Sequence, residues 1–199
     1  MEKNPLPIVK NPHKVLRMNA EEVLVADIAS RRVRRLIANM KTTLEATPDG
    51  VGLAAPQINV PLRIFIVSEE AEEVDRAQKK GWERRSAQNQ GTPNERPYEK
   101  RPWHYYTFIN PVRKNSSRRT LEGPEGCLSV PGIFGTVARG EKITVEARDE
   151  AGKKFTRNCS CFFARVVQHE LDHLEGTLFI DKARDLMEVK PEVKEKGRT

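Results

Sequence analysis

The sequence predicts an α+β fold in which antiparallel β-sheets wrap around a central helix that carries the motif HExxH, with a long helix nearer the N-terminus. Three observations support this prediction. Apolar residues recur at helical spacing in two stretches, one in the first fifty residues and one at about 161–175. The chain between these stretches contains several short strand-like runs. The length of 199 residues fits one domain with a core of ordinary size.

The first helix is predicted to begin at Asn19, because Asn19 and Glu22 are spaced like the two polar residues of a capping box. Its apolar face repeats at helical spacing up to the turn sequence ThrProAspGly at 47–50. The residues of this face are Val23, Ile28, Val33, Leu36, Ile37, Met40 and Leu44. We interpret the helix as core packing without a chemical role.

The region after this helix divides into a glycine-rich segment, a strand and a charged insertion. Residues 50–58 are too rich in glycine and too short for a helix, and 63–67 read RIFIV, which is typical of a strand. Residues 68–103 are highly charged and offer almost nothing to a core. We therefore expect a dispensable surface loop or partly disordered insertion at about 68–103, and not a second domain.

The second half of the chain predicts an antiparallel sheet followed by a second helix. The runs YYTFINP, TVARG, KITVEA and KKFTRN are strand-like, and AspGluAlaGly at 149–152 marks a turn. Helical spacing returns from about Cys161 to Glu175, and Gly176 is placed as a C-terminal cap. We expect a single catalytic domain at 1–185 and a frayed, mixed-charge tail at 186–199.

Composition limits the class of protein. The formal net charge is +7, but basic residues are interleaved with acidic ones nearly everywhere, so we interpret the charge mainly as solvation. An RNA-binding patch is the minority interpretation, because no cluster of aromatic and basic residues accompanies the charge. The three cysteines, the lack of an apolar leader and the lack of a long apolar run predict a cytoplasmic protein that binds neither DNA nor membranes.

The motif HExxH lies on the second helix. His169 and His173 stand one turn apart on a single face, so both imidazoles can reach one metal ion. Glu170 lies on the flank of that face, where a carboxylate beside the ion can handle a proton of water. Phe162 and Val166 continue the apolar stripe toward the N-terminus. The opposite, polar side comprises Arg165, Gln168, Asp172 and Glu175. This arrangement predicts a metal-dependent hydrolase.

A catalytic metal site of this kind needs a third protein ligand. Phe179 occupies the position where the extended pattern HExxHxxGxxH has a histidine. Cys127 is the better candidate, because it is a single thiol in the glycine- and proline-containing stretch EGCLSVPG at 125–132. Weaker alternatives in the tail are Glu188, Glu192 and Glu195. Cys159 and Cys161 are expected to face the same way, as buried free thiols.

Three segments occur in order along the chain: GVGLAAPQ at 50–57, EGCLS at 125–129 and QHELDH at 168–173. Together they resemble the three motifs of the peptide deformylases, hydrolases that remove the formyl group from new bacterial polypeptides. The resemblance extends through the strands between the motifs and covers most of residues 5–185. It implies a metal-dependent hydrolase that acts on N-terminal formylmethionine and releases formate.

The resemblance also implies roles for the residues of the metal site. The metal ligands would be Cys127, His169 and His173. They would hold one divalent ion per chain, with Fe(II) as the physiological ion and Zn(II) or other divalent ions able to occupy the same site. Glu170 corresponds to the catalytic acid and base. Gln57 and the backbone N–H of Leu128 correspond to the donors that bind the formyl oxygen.

The resemblance further implies how a substrate is held. The backbone at Val51 and Gly126 would grip an extended peptide, and Gly52 would let that peptide approach closely. Phe162 and Val166 would form a pocket for the methionine side chain. The expected partners are N-formylmethionyl nascent peptides, together with a transient contact to the ribosome.

Two other functions stay open at this point. A zincin-type endopeptidase would need a third metal ligand after His173, in the tail. A catalytically silent, deformylase-like binding protein would lack a metal ligand or Glu170, and all of these residues are present.

Overall fold

The computed structural model describes residues 5–47, 50–76 and 104–189. The α-helices in this part of the chain are α1 (Arg31–Glu45), α2, described over 70–76, and α3 (Cys161–Leu174). The strands are β1 (Gly52–Ala54), β2 (Ile64–Ser68), β3 (Tyr105–Ser116), β4 (Thr120–Cys127), β5 (Val130–Gly140), β6 (Lys142–Arg148), β7 (Lys154–Ser160) and β8 (Arg184–Glu188). They form two antiparallel sheets with the orders β1-β2-β3-β6-β7 and β4-β5-β8.

Helix α3 occupies the centre of the fold. It contacts four strands of the larger sheet, β1, β2, β6 and β7, and β5 of the smaller sheet. Eleven of its residues are buried, so almost its whole circumference is covered. Gly176, with a φ of +67°, follows the end of the helix as predicted. The α+β class, with antiparallel sheets around the HExxH helix, is therefore confirmed.

The predicted start of the first helix is wrong, because α1 begins at Arg31 and not at Asn19. The residues before α1 are held by long-range contacts. Asn19 forms a β-bridge with Glu175, and the N–H of Val23 donates to the Asn110 side chain at 2.8 Å. These hydrogen bonds occupy backbone groups that a continuous helix would use for itself, so tertiary contacts override the local capping signal.

From Val33 onwards the predicted helical spacing is confirmed. The Ser30 hydroxyl caps α1 by accepting a hydrogen bond from the N–H of Val33 at 3.3 Å. The buried apolar residues of α1 are Val33, Ile37, Met40 and Leu44. They pack in a core cluster that includes residues of β1 and β2. Neither α1 nor another helix in the described ranges is long and apolar enough to cross a membrane.

The first part of the charged insertion is ordered, contrary to the expectation of a loop over 68–103. Residues 70–76 form α2, and Ala71 is completely buried in the core cluster around α3. The prediction failed here because one small buried residue among charged neighbours gives almost no hydrophobic periodicity. Residues 77–103 lie outside the described part of the chain, and the expectation for them stays a prediction.

The strands predicted in the second half are present, but they lie in two sheets. The run TVARG belongs to β5, whereas KITVEA and KKFTRN belong to β6 and β7 of the larger sheet. The predicted turn is confirmed by the Gly152 N–H, which donates to the Asp149 carbonyl at 2.9 Å. A frayed tail was expected from residue 186, but residues 186–188 instead form the end of β8, which pairs with β5. Residues 190–199 lie outside the described part.

The two cysteines near α3 differ in their surroundings. Cys159 is buried, as expected, but Cys161 is exposed. The prediction that both face the same way is wrong, because the strand ends at Ser160 and the chain turns into α3 at Cys161, which has a φ of +52°.

Candidate metal centre

Three side chains with metal-binding atoms converge between α3 and the end of β4. The donor atoms of Cys127, His169 and His173 all lie within 4.8 Å of one another. The two imidazole rings stand 5.0 Å apart, one turn along α3, and Cys127 Sγ lies 3.2 Å from His173 Nε2. A thiolate with two imidazoles is a donor set that suits a divalent transition-metal ion.

The position of Cys127 follows from the tight turn between β4 and β5. The strand register shifts between Gly126 and Cys127, so that Cys127 pairs with Val130 across the turn. The N–H of Ser129 then points at Cys127 Sγ from 3.4 Å, and Gln57 Nε2 lies 3.5 Å from the same sulfur. The turn and the Gln57 side chain thus place two N–H donors against this sulfur.

His169 is oriented by a buried carboxylate that sequence reasoning missed. Its Nδ1 lies 3.0 Å from Glu125 Oε2, which leaves Nε2 directed to the centre. Arg139 donates to both oxygens of Glu125 at 2.8 Å. Burial opposes ionisation of Glu125, but the hydrogen bonds from Arg139 and His169 outweigh it and lower its pKa to about 2. The only sequence signal for this role was that Glu125 lies two residues before the candidate metal ligand Cys127.

The side of α3 that faces away from the metal centre is polar but buried, which the sequence did not indicate. The buried members of this side are Arg165, Gln168 and Asp172. Asp172 accepts hydrogen bonds from Arg139 Nη1 at 2.5 Å and from Lys182 Nζ at 2.6 Å. Arg165 donates to Glu125 at 2.9 Å and to backbone carbonyls of β4 and β5. This charged network attaches the helix to the smaller sheet.

The two histidines of the centre have opposite pKa shifts. Burial disfavours a charge on His169, yet its interactions with Cys127 and Glu125 raise its pKa to about 10. Burial and the adjacent His169 lower the pKa of His173 well below its ordinary value. The fit to a metal rests on the donor set: one sulfur and two imidazole nitrogens, all within 4.8 Å of one another, suit a single divalent ion.

Glu170 lies beside the three donors and is 3% exposed. Burial is the main cause that raises its pKa to about 7. Its Oε2 has no hydrogen-bond partner among the described residues. Its Oε1 lies so near the backbone of Gly52 that a Cβ there would stand 2.4 Å from it. Gly52 therefore has a packing role at the site, because a larger residue would displace this carboxylate.

Gln57 is brought to the centre by a short 3₁₀ turn after β1. It is 1% exposed, and its Oε1 accepts a hydrogen bond from the N–H of Ala54 at 2.8 Å. This contact fixes the amide orientation, so that Nε2 points toward Cys127 and toward Ser129 Oγ, 3.4 Å away. Leu128 follows Cys127 directly in the β4–β5 turn, and its carbonyl accepts from the Lys10 side chain at 2.6 Å.

The residues expected to hold a substrate lie on α3 and at strand ends near it. Val51 and Phe162 pack against the core cluster that contains Val166. A Cβ on Gly52 would lie 2.9 Å from Val166 Cγ1, so β1 and α3 approach closely at this point. Gly126 stands against Phe134, whose ring would lie 2.7 Å from a Cβ added there. These five residues thus lie at the start of β1, near the end of β4 and on α3. Strand β4 and helix α3 also carry the three candidate metal ligands.

Comparison with known proteins identifies the family. The family model described as Polypeptide deformylase matches residues 5–189. The chain belongs to this family. It is 38% identical over 175 residues to peptide deformylase 1A, chloroplastic/mitochondrial, of Arabidopsis thaliana, covering 88% of this chain and 60% of that protein. It is 35% identical over 184 residues to the peptide deformylase of Symbiobacterium thermophilum, covering 92% of this chain and 69% of that protein.

Solved structures of the family have the same fold. A Met-Ala-Ser-bound class I type b peptide deformylase from Acinetobacter baumannii superposes with a TM-score of 0.71 at 30% identity, covering 91% of this chain and 99% of that one. The Thermotoga maritima peptide deformylase gives a TM-score of 0.69 at 27% identity, with 94% and 99% covered. The chain spans about 60% of the length of the two plant relatives, at 60% and 61%.

Proposed function

We propose that the protein is a metal-dependent hydrolase that removes the N-formyl group from the N-terminal formylmethionine of newly made polypeptides and releases formate. The observation that carries this proposal is the convergence of Cys127, His169 and His173 beside Glu170 and Gln57, in a chain of the deformylase family. We propose that residues 5–189 act as one catalytic unit, because α3 joins both sheets.

Cys127, His169 and His173 would hold one divalent ion, and the proposed physiological ion is Fe(II). When bound, such an ion supplies Lewis acidity to the formyl carbonyl and lowers the pKa of water. A soft thiolate ligand together with two imidazole ligands suits both Fe(II) and Zn(II). The availability of each metal in the cell therefore decides which one is bound. Metal analysis of protein purified without oxygen tests this assignment: zinc alone, in cells supplied with iron, would contradict it.

Glu170 is proposed to move the protons of the reaction. As the carboxylate it accepts a proton from the attacking water, and as the acid it returns this proton to the departing amine nitrogen. A group that does both works best when its pKa is near the working pH, and burial raises the pKa of Glu170 to about 7. Its position against Gly52 holds the carboxylate at the edge of the centre.

Gln57 and the N–H of Leu128 are proposed to stabilise the negative charge that develops on the formyl oxygen. The hydrogen bond from the N–H of Ala54 turns Gln57 so that its NH₂ group, a donor, faces the centre. A donor oriented before the reaction needs no rearrangement when the charge appears, and one such donor is typically worth about 3 kcal/mol in the transition state.

The substrate is proposed to bind as an added strand. In the described residues, β1 pairs only with β2 and β4 pairs only with β5, so both strands are sheet edges. The backbone at Val51, directly before β1, and at Gly126, near the end of β4, is proposed to grip an extended peptide, which Gly52 lets approach closely. Phe162 and Val166 of α3 are proposed to form the pocket for the methionine side chain of such a peptide, and Phe162 packs against the core cluster that contains Val166. Main-chain pairing reads no later side chain, which suits many nascent substrates.

Location and macromolecular partners form a separate part of the proposal. The cytoplasm is the proposed compartment, and a transient contact with the ribosome is proposed because the substrates are nascent chains. The plant relatives carry chloroplastic or mitochondrial names, so cell fractionation is the direct test. Sedimentation of the protein with ribosomes at low and at physiological salt tests the second point, since an electrostatic contact weakens with salt.

The central experiment is release of formate from a formyl-Met-Ala-Ser peptide by protein prepared without oxygen. Three proteins are compared: wild type, Glu170→Ala and Cys127→Ala. We expect full metal content without activity in Glu170→Ala, and loss of both metal and activity in Cys127→Ala. Absence of activity in metal-loaded wild type would overturn the function, and a metal-binding, active Cys127→Ala would overturn the ligand assignment. Cleavage of an unformylated internal peptide bond would support the endopeptidase alternative instead.

A further inference from the structure

The N-terminus of α3 is capped by a residue distant in sequence. Ser160, at the N-cap position, makes no capping hydrogen bond with its own side chain. The carboxylate of Asp75, on α2, accepts hydrogen bonds from the N–H of Phe162 at 2.8 Å and from the N–H of Phe163 at 3.1 Å. Asp75 therefore satisfies two of the backbone donors that the first turn of any helix leaves free, and its charge complements the helix dipole.

Helix α2 is itself fixed to the fold, so this cap has a defined position. The Glu72 carboxylate accepts hydrogen bonds from Arg157 on β7 and from the hydroxyl of Tyr106 on β3, the latter at 3.0 Å. The guanidinium of Arg157 lies over the ring of Tyr106, 3.8 Å from its centroid, and 4.7 Å from the centroid of Phe163. One turn of α2 thus presents Glu72 to the sheet and Asp75 to α3.

The capped turn contains the first residue of the proposed methionine pocket. Phe162 donates one of the two hydrogen bonds to Asp75, and Val166 lies one turn further along the same face. The metal ligands lie beyond them, and His169 is held separately by Glu125. A change at the cap should therefore move the wall of the pocket more than the metal centre.

We propose that Asp75 is a positioning residue that fixes the start of α3 and thereby sets the Phe162 side of the methionine pocket. This inference deepens the proposed deformylase function and rests on it for the pocket, whereas the capping contact itself does not depend on any activity. It also gives the first part of the charged insertion a specific role, in place of the dispensable loop expected from its composition.

The test compares Asp75→Ala, Asp75→Asn and the control Glu73→Gln. Asp75→Asn keeps one acceptor oxygen, and Glu73→Gln removes a negative charge from the same helix at a residue that pairs with exposed Arg76. For each protein we measure kcat and KM with formyl-Met and formyl-Ala peptides, normalised to bound metal. We expect the Met-over-Ala ratio of kcat/KM to fall roughly five- to tenfold in Asp75→Ala, a change of the size of a lost N-cap, and less in Asp75→Asn.

Amide hydrogen exchange supplies a readout that is independent of catalysis. The N–H groups of Phe162 and Phe163 should exchange faster in Asp75→Ala than in wild type and Glu73→Gln, and by an intermediate amount in Asp75→Asn. Unchanged exchange would overturn the cap. Faster exchange with an unchanged Met-over-Ala ratio would overturn the positioning role, as would an equal change in Glu73→Gln. If wild type is inactive on all formyl peptides, the proposed function fails, and the exchange data still decide the cap.

Discussion

Arg139 joins two buried carboxylates behind the metal centre, and its replacement by methionine tests how far this network supports the site. Its Nε and Nη2 donate to Glu125, each at 2.8 Å, and its Nη1 donates to Asp172 at 2.5 Å. The Arg139→Met variant retains most of the side-chain volume but removes the cation that the two carboxylates share. Both carboxylates would then remain buried, but without the positive charge and hydrogen bonds of Arg139 that offset the cost of burying them.

The expected loss of stability can be derived from the Glu125 carboxylate. Burial favours its neutral form, but hydrogen bonds from Arg139 and His169 lower its pKa from 4.5 to about 2. That difference corresponds to roughly 3 kcal/mol at neutral pH. Breaking a buried ion pair by removing one partner typically costs about 3–5 kcal/mol. Because Arg165 still binds Glu125 and Lys182 still binds the other carboxylate, we expect the lower end of this range, about 3 kcal/mol.

Urea unfolding of the metal-free protein, at pH 7 and at pH 3, measures this effect. The pKa of Glu125 is lower in the folded than in the unfolded protein, so its contribution is present above about pH 4.5 and is lost as the pH falls toward 2. The difference between wild type and Arg139→Met should therefore shrink to roughly half at pH 3. Metal affinity should also fall about 10- to 100-fold, since the carboxylate behind His169 is perturbed.

A matched control is Arg119→Met, which removes an ion pair with Glu141 from an arginine side chain that is 72% exposed. This control should lose at most about 1 kcal/mol, because exposed pairs are screened by water. A loss below about 1 kcal/mol in Arg139→Met, or a difference that does not change with pH, would refute the argument that the network holds Glu125 ionised.

Three further substitutions test other parts of the site and fold. Gln57→Ala should lower kcat on a formyl-Met peptide about 10²- to 10³-fold with unchanged metal content, because one proposed oxyanion donor is lost; a parallel loss of metal would contradict that role. Gly52→Ala would place a Cβ 2.4 Å from Glu170 Oε1. Displacement of this carboxylate should lower kcat about tenfold or more, and an unchanged kcat would show that Glu170 is not held by this contact. Glu150→Gln removes a part-exposed carboxylate whose pKa is lowered, against burial, by hydrogen bonds from Lys41 and Thr107. Its stabilisation, below about 1 kcal/mol at pH 7, should disappear as the pH falls through that lowered pKa, because only the carboxylate is favoured by folding. Urea midpoints measured against pH check this, and a deficit that persists in acid would contradict it.

The histidine pair was predictable from sequence because its geometry is local. Residues four apart on a helix share a face whatever the rest of the chain does, so His169 and His173 required no tertiary information. Glu125 and Arg139 were not predictable in the same way, because each acts through a partner on another element. In addition, a polar side of a helix normally predicts exposure to solvent. Here the smaller sheet covers that side, so Asp172 and its neighbours are buried.

The boundaries of helices were less predictable than their existence. The capping signal at Asn19 was plausible locally, but the backbone of Asn19 forms a β-bridge with Glu175, which follows α3. The cap of α3 shows the converse case, since no residue next to the helix supplies it and Asp75 comes from a segment that composition assigns to a loop. In both places a long-range hydrogen bond, which has no periodicity, decides the outcome.

Among the residues that the structure describes, β1 and β4 each have one edge without a paired strand, which has a consequence for the behaviour of the protein in a crowded cell. If these edges bind nascent chains as proposed, they can also bind a strand from a misfolded neighbour, so recognition without side-chain selectivity carries a risk of aggregation. The fold limits how far such pairing can extend. Strand β1 is three residues long, and β4 carries Pro124, which has no N–H to donate. A bound chain can therefore pair over only a few residues, which is enough for the proposed processing of its first residue and too few for a stable sheet to grow.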